Sequence, residues 1–181
     1  IAKCKGSEGD DIPDETAVAV SPDGESQEDS LWKVDFKNSK DSVYGKLIIW
    51  DGEETHAFKF QMGNFGGKNF PLGPFILKLA TPLDACKGMR SMVKGSVVII
   101  ERGKCQFLDK AKLSQGSGGI GLFILNTEDS LFPAPADRRE AAKITIPIGT
   151  LPSAAKETLK RLAENGKKAI IGRVLVPANA V

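Results

Sequence analysis

Apolar, β-branched and aromatic residues alternate partially with polar ones over 31–36, 43–50 and 56–60, and turn formers separate them at Asn38-Ser39 and Asp51-Gly52. This pattern predicts an antiparallel meander. A loop rich in Gly and Asn over 62–73 follows, then an apolar strand at 75–79 and the turn Thr81-Pro82-Leu83-Asp84. Residues 95–100, Gly-Ser-Val-Val-Ile-Ile, are apolar nearly throughout, as expected of a central strand covered on both faces. Over 107–115 apolar residues recur at Phe107, Leu108 and Ala111 with charges between them, a helical pattern that Gly116 and Gly118 stop. Further strands are predicted at 120–125, 144–148 and 169–176.

The segment 152–165 is the clearest helix. Ser153 offers a cap, Ala155, Leu159, Leu162 and Ala163 fall on one stripe, Glu157 and Arg161 are spaced to pair across one turn, and Asn165-Gly166 supplies a left-handed exit. A β-rich first half joined to a strand–helix–strand second half predicts an α/β fold weighted toward β. Residues 1–30 are mostly Gly, Ser, Asp, Glu and Pro, with one short β-like run at 16–20. They read as a flexible leader, and 31–178 as one domain.

Composition narrows the function classes. With 181 residues, 41% hydrophobic and 27% charged, the chain can build a core without metal clips or dense disulfides. Its apolar runs are far shorter than the roughly 20 residues that span a bilayer. The first residue is Ile1, with no basic start and apolar stretch behind it, which suggests a processed piece whose signal peptide is absent or removed. Any membrane attachment is expected from parts outside this chain. Residues 1–30 hold nine acids against Lys3 and Lys5, a net −7, which leaves +9 on the remainder of a chain whose total is +2. The 12 aromatics form no stripe among the cations, so nucleic acid is not an expected partner.

Catalytic signatures are missing. The letters of Gly116-Ser117-Gly118-Gly119-Ile120-Gly121 fit the dinucleotide fingerprint, but there the glycines must follow a strand and open a helix, and here the order is reversed. His56 is the one histidine, in a predicted strand, and no G-x-S-x-G, C-x-x-C, H-x-x-x-H or phosphate-loop spacing occurs. Neither an enzyme activity nor a cofactor or metal is expected. Cys86 and Cys105 bracket the buried strand at 97–100. They are either two reduced thiols or, in an oxidising compartment, a disulfide whose loop closure is worth roughly 3 kcal/mol. Cys4 is the odd one, free or paired elsewhere.

One stretch has recognition chemistry of its own. A buried strand ends at Ile100, the chain leaves through Gly103, and a helix starts near Gln106, so unpaired N–H groups gather at one spot that suits a peptide carboxylate or carbonyl. The alternative is a turn that serves packing only.

The succession Thr81-Pro82-Leu83-Asp84-Ala85-Cys86, then Gly95 to Phe107 with Arg102-Gly103-Lys104-Cys105 inside it, Lys110-Ala111, Gln115, Gly118-Gly119, Asn126 and Ile146-Pro147-Ile148 resembles the protease-associated (PA) domain over roughly residues 70–176. The resemblance implies a β-barrel-like sheet with two main flanking helices, at about 107–115 and 152–165. It also implies no catalysis, a lumenal or extracellular place, and a bonded Cys86–Cys105 pair. PA domains hold or gate a peptide or protein, as modules of secretory and endomembrane proteins. In plant vacuolar sorting receptors the turn matching Arg102, Gly103, Lys104 and Cys105 binds the cargo N-terminus, and Lys104 departs from the acidic residue found there.

A peptide or protein ligand is therefore expected where this turn meets two loops, 64–69 and 126–139, with Gly66, Gly67, Asp137 and Arg138 beside it. Arg102 would grip a carboxylate, unless it pairs with Asp84 or Asp109. Two other functions stay open: a regulatory lid for a protease whose catalytic part lies outside this chain, and a structural spacer. Oligomeric state is not legible.

Overall fold

A computed structural model describes residues 43–164 and 169–176. The elements run β1 (Tyr44–Trp50), β2 (Thr55–Met62), β3 (Phe75–Leu79), β4 (Val97–Glu101), α1 (Phe107–Gly116), β5 (Gly121–Leu125), α2 (Arg138–Ala141), β6 (Ile148–Leu151), α3 (Ala154–Glu164) and β7 (Ile170–Leu175). The strands close into a barrel in the order β1-β2-β6-β5-β4-β3-β7. This is the β-rich architecture the sequence predicts, with its two main helices in place. The leader at 1–30, the strand expected at 31–36, Cys4 and the exit at Asn165-Gly166 lie outside the described residues.

Two kinds of pairing build the barrel. β1 and β2 form an antiparallel hairpin with Ile48 opposite Ala57. Its four-residue turn is organised by Asp51, whose Oδ1 accepts the Glu53 and Glu54 amides at 2.9 Å each. β3, β4, β5 and β6 are parallel neighbours, with Ile99 opposite both Leu79 and Phe123, and Ile124 opposite Thr150. β7 returns antiparallel to both β1 and β3 and completes the ring.

Both faces of β4 and β5 are covered, which is why their sequences are apolar without alternation. One face contributes Val97, Ile99, Phe123 and Leu125 to a cluster with Leu47, Phe60, Leu77 and Leu151, where α3 adds Ala155, Leu159 and Leu162. Phe123 stacks on Phe70 at 4.5 Å and meets Phe60 edge-on at 5.3 Å. The other face sends Val98, Ile100, Leu122 and Ile124 against Leu108 and Ala111 of α1.

Four local expectations need correction. The strand expected at 144–148 forms its ladder only from Ile148, because Pro147 has no N–H and β5 starts opposite that point. Arg161 does not pair along its own helix with Glu157; its guanidinium reaches Glu54 at the tip of the β1–β2 hairpin, 2.7 Å away, where His56 also meets that carboxylate. At the start of α3 the Ala154 amide is taken by Asp129 Oδ1 at 3.3 Å, where Ser153 was the expected cap. Ala163 is exposed at the edge of the stripe. The glycines at 116–121 do what the helix-then-strand order demands. Gly119 N–H donates to Ser114 O, and a Cβ there would lie 2.9 Å from Val98, so the glycine lets α1 close against the sheet.

Candidate functional site

Arg102 follows the last residue of β4, and its amide donates to Leu125 O at the end of β5, while Asn126 N–H donates to Leu151 O at the end of β6. The carboxyl ends of three parallel strands thus meet at one place. The turn that leaves it is tight. Gly103 has φ +120° and Lys104 φ +64°, and Cys105 N–H donates back to Gly103 O at 2.8 Å. For a lysine the left-handed region costs roughly 1–2 kcal/mol, so the turn must be held from outside.

Three ties hold it. Cys105 is disulfide-bonded to Cys86 across a Cα–Cα distance of 5.6 Å, which fixes the pairing left open by the residues alone. Lys104 Nζ pairs with Asp84 Oδ2 at 3.0 Å. Asp84 Oδ1 in turn accepts the Cys86 amide, and these two contacts, the amide first, hold the Asp84 carboxyl below its ordinary pKa. The third tie is Lys110 on α1. Its side chain is fully buried, and Nζ donates to Asp84 O at 2.6 Å and Gly103 O at 3.0 Å, with Cys86 Sγ at 3.5 Å. Burial pulls its pKa down and the Asp84 carboxylate pulls it up, with the net direction downward. Three acceptors match the three N–H bonds of an ammonium. The residue pattern of α1 gave no sign of this, since a lysine between apolar positions reads as solvated.

Arg102 has a setting of its own. Its guanidinium carbon lies 4.5 Å from the centre of the Phe132 ring and 5.6 Å from that of Phe107, and Nη1 donates to Asn126 Oδ1 at 3.1 Å. Asn126 is itself fixed, with Oδ1 accepting Thr127 N–H and Nδ2 donating to Ser130 O, both at 2.8 Å. Phe132 is set by the Thr150 hydroxyl of β6, which donates to its carbonyl at 2.7 Å. The pairing of Arg102 with Asp84 or Asp109 is not what forms: Asp84 is taken by Lys104, and among the described residues no carboxylate pairs with Arg102. Phe107 opens α1, and its N-cap Gln106 gives no side-chain cap to the first amides. An exposed cation and uncapped helix N–H groups therefore sit together.

The flanking loops are assembled in part. The 126–139 loop meets Arg102 through Asn126 and Phe132, and it reaches the 64–69 loop where Asn64 N–H donates to Ala134 O at 3.0 Å. The space beside Gly66 and Gly67, however, is filled by the chain itself. A Cβ on Gly67 would lie 2.3 Å from Thr145 O, one on Gly66 2.6 Å from Ile146 O, and Gly67 N–H donates to Ile146 O. These glycines admit the 145–147 segment, not a ligand backbone. Asp137 Oδ1 caps the short α2 through the Arg139 and Glu140 amides, which gives it a structural task. Arg138 is exposed on the same turn. Gln115, on α1, fastens the segment that follows α2, accepting from Thr145 N–H at 2.8 Å and donating to Lys143 O at 3.0 Å. Among the described residues no helix is long and apolar enough to cross a membrane, and no group of His, Cys, Asp and Glu is placed to hold a metal ion.

Comparison with known proteins adds identity to this geometry. The PA domain family model matches residues 65–159. Signal peptide peptidase-like 4 of Oryza sativa subsp. japonica is 31% identical over 144 residues, covering 73% of this chain and 25% of that protein. Signal peptide peptidase-like 2 of Arabidopsis thaliana is 31% identical over 134 residues, covering 71% and 25%. The chain thus spans about a quarter of these relatives. Among solved structures, the peptidase M28 precursor from Shewanella amazonensis SB2B superposes with a TM-score of 0.50 at 11% identity, over 75% of this chain and 37% of that one, a likeness of fold. The sequence motif, the closed barrel and the family match agree: the chain belongs to the protease-associated domain family.

Proposed function

We propose that this chain is a non-catalytic module that binds or gates a peptide or protein ligand, within a secretory or endomembrane protein whose remaining parts lie outside it. The module covers 31–178, with 1–30 as an acidic leader. The observation that carries the reading is Arg102. Its guanidinium is held by Asn126, backed by Phe132 and Phe107, and left without a carboxylate among the described residues. A guanidinium has five N–H donors in a planar fork, and one of them is used here. A peptide carboxylate fits the rest in a bidentate pair, with the first amides of α1 adding donors beside it.

The strained Lys104 turn is consistent with this role, because such backbone persists only where its surroundings enforce it. Gly103 and Cys105 shape the site, Arg102 grips, and Arg138 extends the positive rim. That the relatives are signal peptide peptidase-like proteins supports a place beside a peptidase in an endomembrane. Short peptides with a free terminal or side-chain carboxylate should bind the wild type at least tenfold more tightly than Arg102→Ala, with Lys160→Ala unchanged, as read by fluorescence anisotropy. Equal binding by all three would place the site elsewhere. Loss of binding together with a large fall in melting temperature for Arg102→Ala would make the residue structural.

A further inference from the structure

The same turn brings an ammonium and a disulfide into contact inside the protein. Lys110 Nζ lies 3.5 Å from Cys86 Sγ, and the lysine side chain is fully buried, so the charge is not free to move away. The other two N–H bonds of the ammonium go to Asp84 O and Gly103 O, and these carbonyls lie 3.6 and 3.3 Å from the same sulfur. The carbonyls that would repel a thiolate are therefore the ones the ammonium engages. Of the acidic groups acting on Lys110, Asp84 is paired with Lys104 and Glu101 with Lys156, while Asp109 lies in the first turn of α1; Lys104 is the further cation.

We propose that Cys86–Cys105 is a site of thiol–disulfide exchange in which Cys86 is the leaving thiolate and Lys110 the group that stabilises it. The class of co-reactant is a low-molecular-weight thiol or a dithiol protein. Its thiolate attacks Cys105 Sγ, the Sγ–Sγ bond breaks, and the electron pair leaves on Cys86 Sγ against the Lys110 ammonium. The product is a mixed disulfide on Cys105. A second thiolate then attacks the sulfur of the co-reactant in that mixed disulfide, releasing Cys105 as a thiolate and an oxidised co-reactant, so that two thiols supply the two electrons. Exchange is faster for a leaving thiol of lower pKa, and a neighbouring lysine lowers it. The reaction frees the 102–105 turn from one of its three ties, so it also acts on the surface of the proposed ligand site. The exchange itself does not depend on that ligand reading.

The test uses the 181-residue chain with Cys4→Ser, so that one cysteine pair remains, oxidised and exposed to reduced glutathione at pH 7. Peptide mapping after acid quenching should recover the glutathione adduct on Cys105 and a free thiol at Cys86. The reduction rate should fall at least tenfold in Lys110→Met. An adduct on Cys86, or a Lys110→Met rate less than tenfold below that of the parent, would overturn the proposal. Should Lys110→Met not fold, the reduced parent decides. Its Cys86 should alkylate with a pH midpoint at least one unit below the ordinary thiol value of about 8.5. A midpoint less than one unit below that value would equally refute it.

Discussion

Asn126 is the residue on which the geometry of Arg102 depends, and its replacement should cost both stability and binding. The residue is 3% exposed, and its side chain makes hydrogen bonds in three directions: with Arg102, with the Thr127 amide and with Ser130. Each such bond is worth about 1 kcal/mol net, and a partly buried amide or carbonyl left unpaired costs about 1–3 kcal/mol. Water reaches Arg102, which recovers most of what it loses, so Asn126→Ala should cost on the order of 2–4 kcal/mol, carried mainly by Thr127 and Ser130. For a domain of this size that is roughly 6–15 °C in melting temperature.

Asn126→Asp separates stability from function. Its carboxylate keeps the Thr127 and Arg102 contacts but turns an acceptor toward Ser130 O, and it supplies Arg102 with an internal anion. The variant should therefore be more stable than Asn126→Ala and yet bind carboxylate peptides at least tenfold more weakly than the parent. Urea titration and thermal melting measure the first quantity, and peptide anisotropy the second. A loss below about 0.5 kcal/mol for Asn126→Ala, or unaltered peptide affinity in Asn126→Asp, would show that Asn126 does not hold Arg102 in place.

Gly67→Ala should destabilise by on the order of 2–4 kcal/mol, seen as a lower urea midpoint, because its Cβ would fall 2.3 Å from a backbone oxygen that cannot swing aside. Acid should weaken the fold through Asp84, Glu54 and Glu140. Asp84 is held below its ordinary pKa by the Cys86 amide and then Lys104, Glu54 by His56 and then Arg161, and Glu140 by Lys112. Since these pKa values are lowered on folding, their stabilisation is complete above the unfolded values near 4 and is lost as pH falls through the lowered ones. Urea midpoints measured from pH 6 down to pH 2 should decline most steeply below about pH 4, and a flat profile would contradict the pairings.

The apolar runs of β4 and β5 were legible because a strand covered on both faces has no polar alternation to confuse it. The stripe of α3 was legible because Ala155, Leu159 and Leu162 do face one cluster. The limits of β6 were not, since Ile144, Ile146 and Ile148 alternate like strand residues and are all buried, while the ladder waits for the end of Pro147. Closure of the barrel rests on β7 pairing with β1, more than 100 residues away in sequence, which no local pattern encodes. At the site, Arg102 and the Cys86–Cys105 pair stood out as residues, but what positions them did not. Phe132, Asn126 and Lys110 become meaningful only when the 126–132 loop and α1 are folded against the turn. Glycine misled for a related reason: it signals close approach without saying by what, and at Gly66 and Gly67 the approaching backbone is the chain's own.

Whether Arg102 and its surroundings receive a ligand carboxylate is answered most directly by an amide-resolved NMR titration, which assumes no affinity. A short peptide with a free terminal carboxylate and its amidated twin would be added in turn to the 181-residue protein. Saturable shifts are expected at Arg102–Phe107, Asn126–Thr127 and Phe132 with the free acid, and none of comparable size with the amide. Shifts confined to the groove lined by Ile76, Arg90 and Ser91, or identical responses to both peptides, would contradict this role of Arg102.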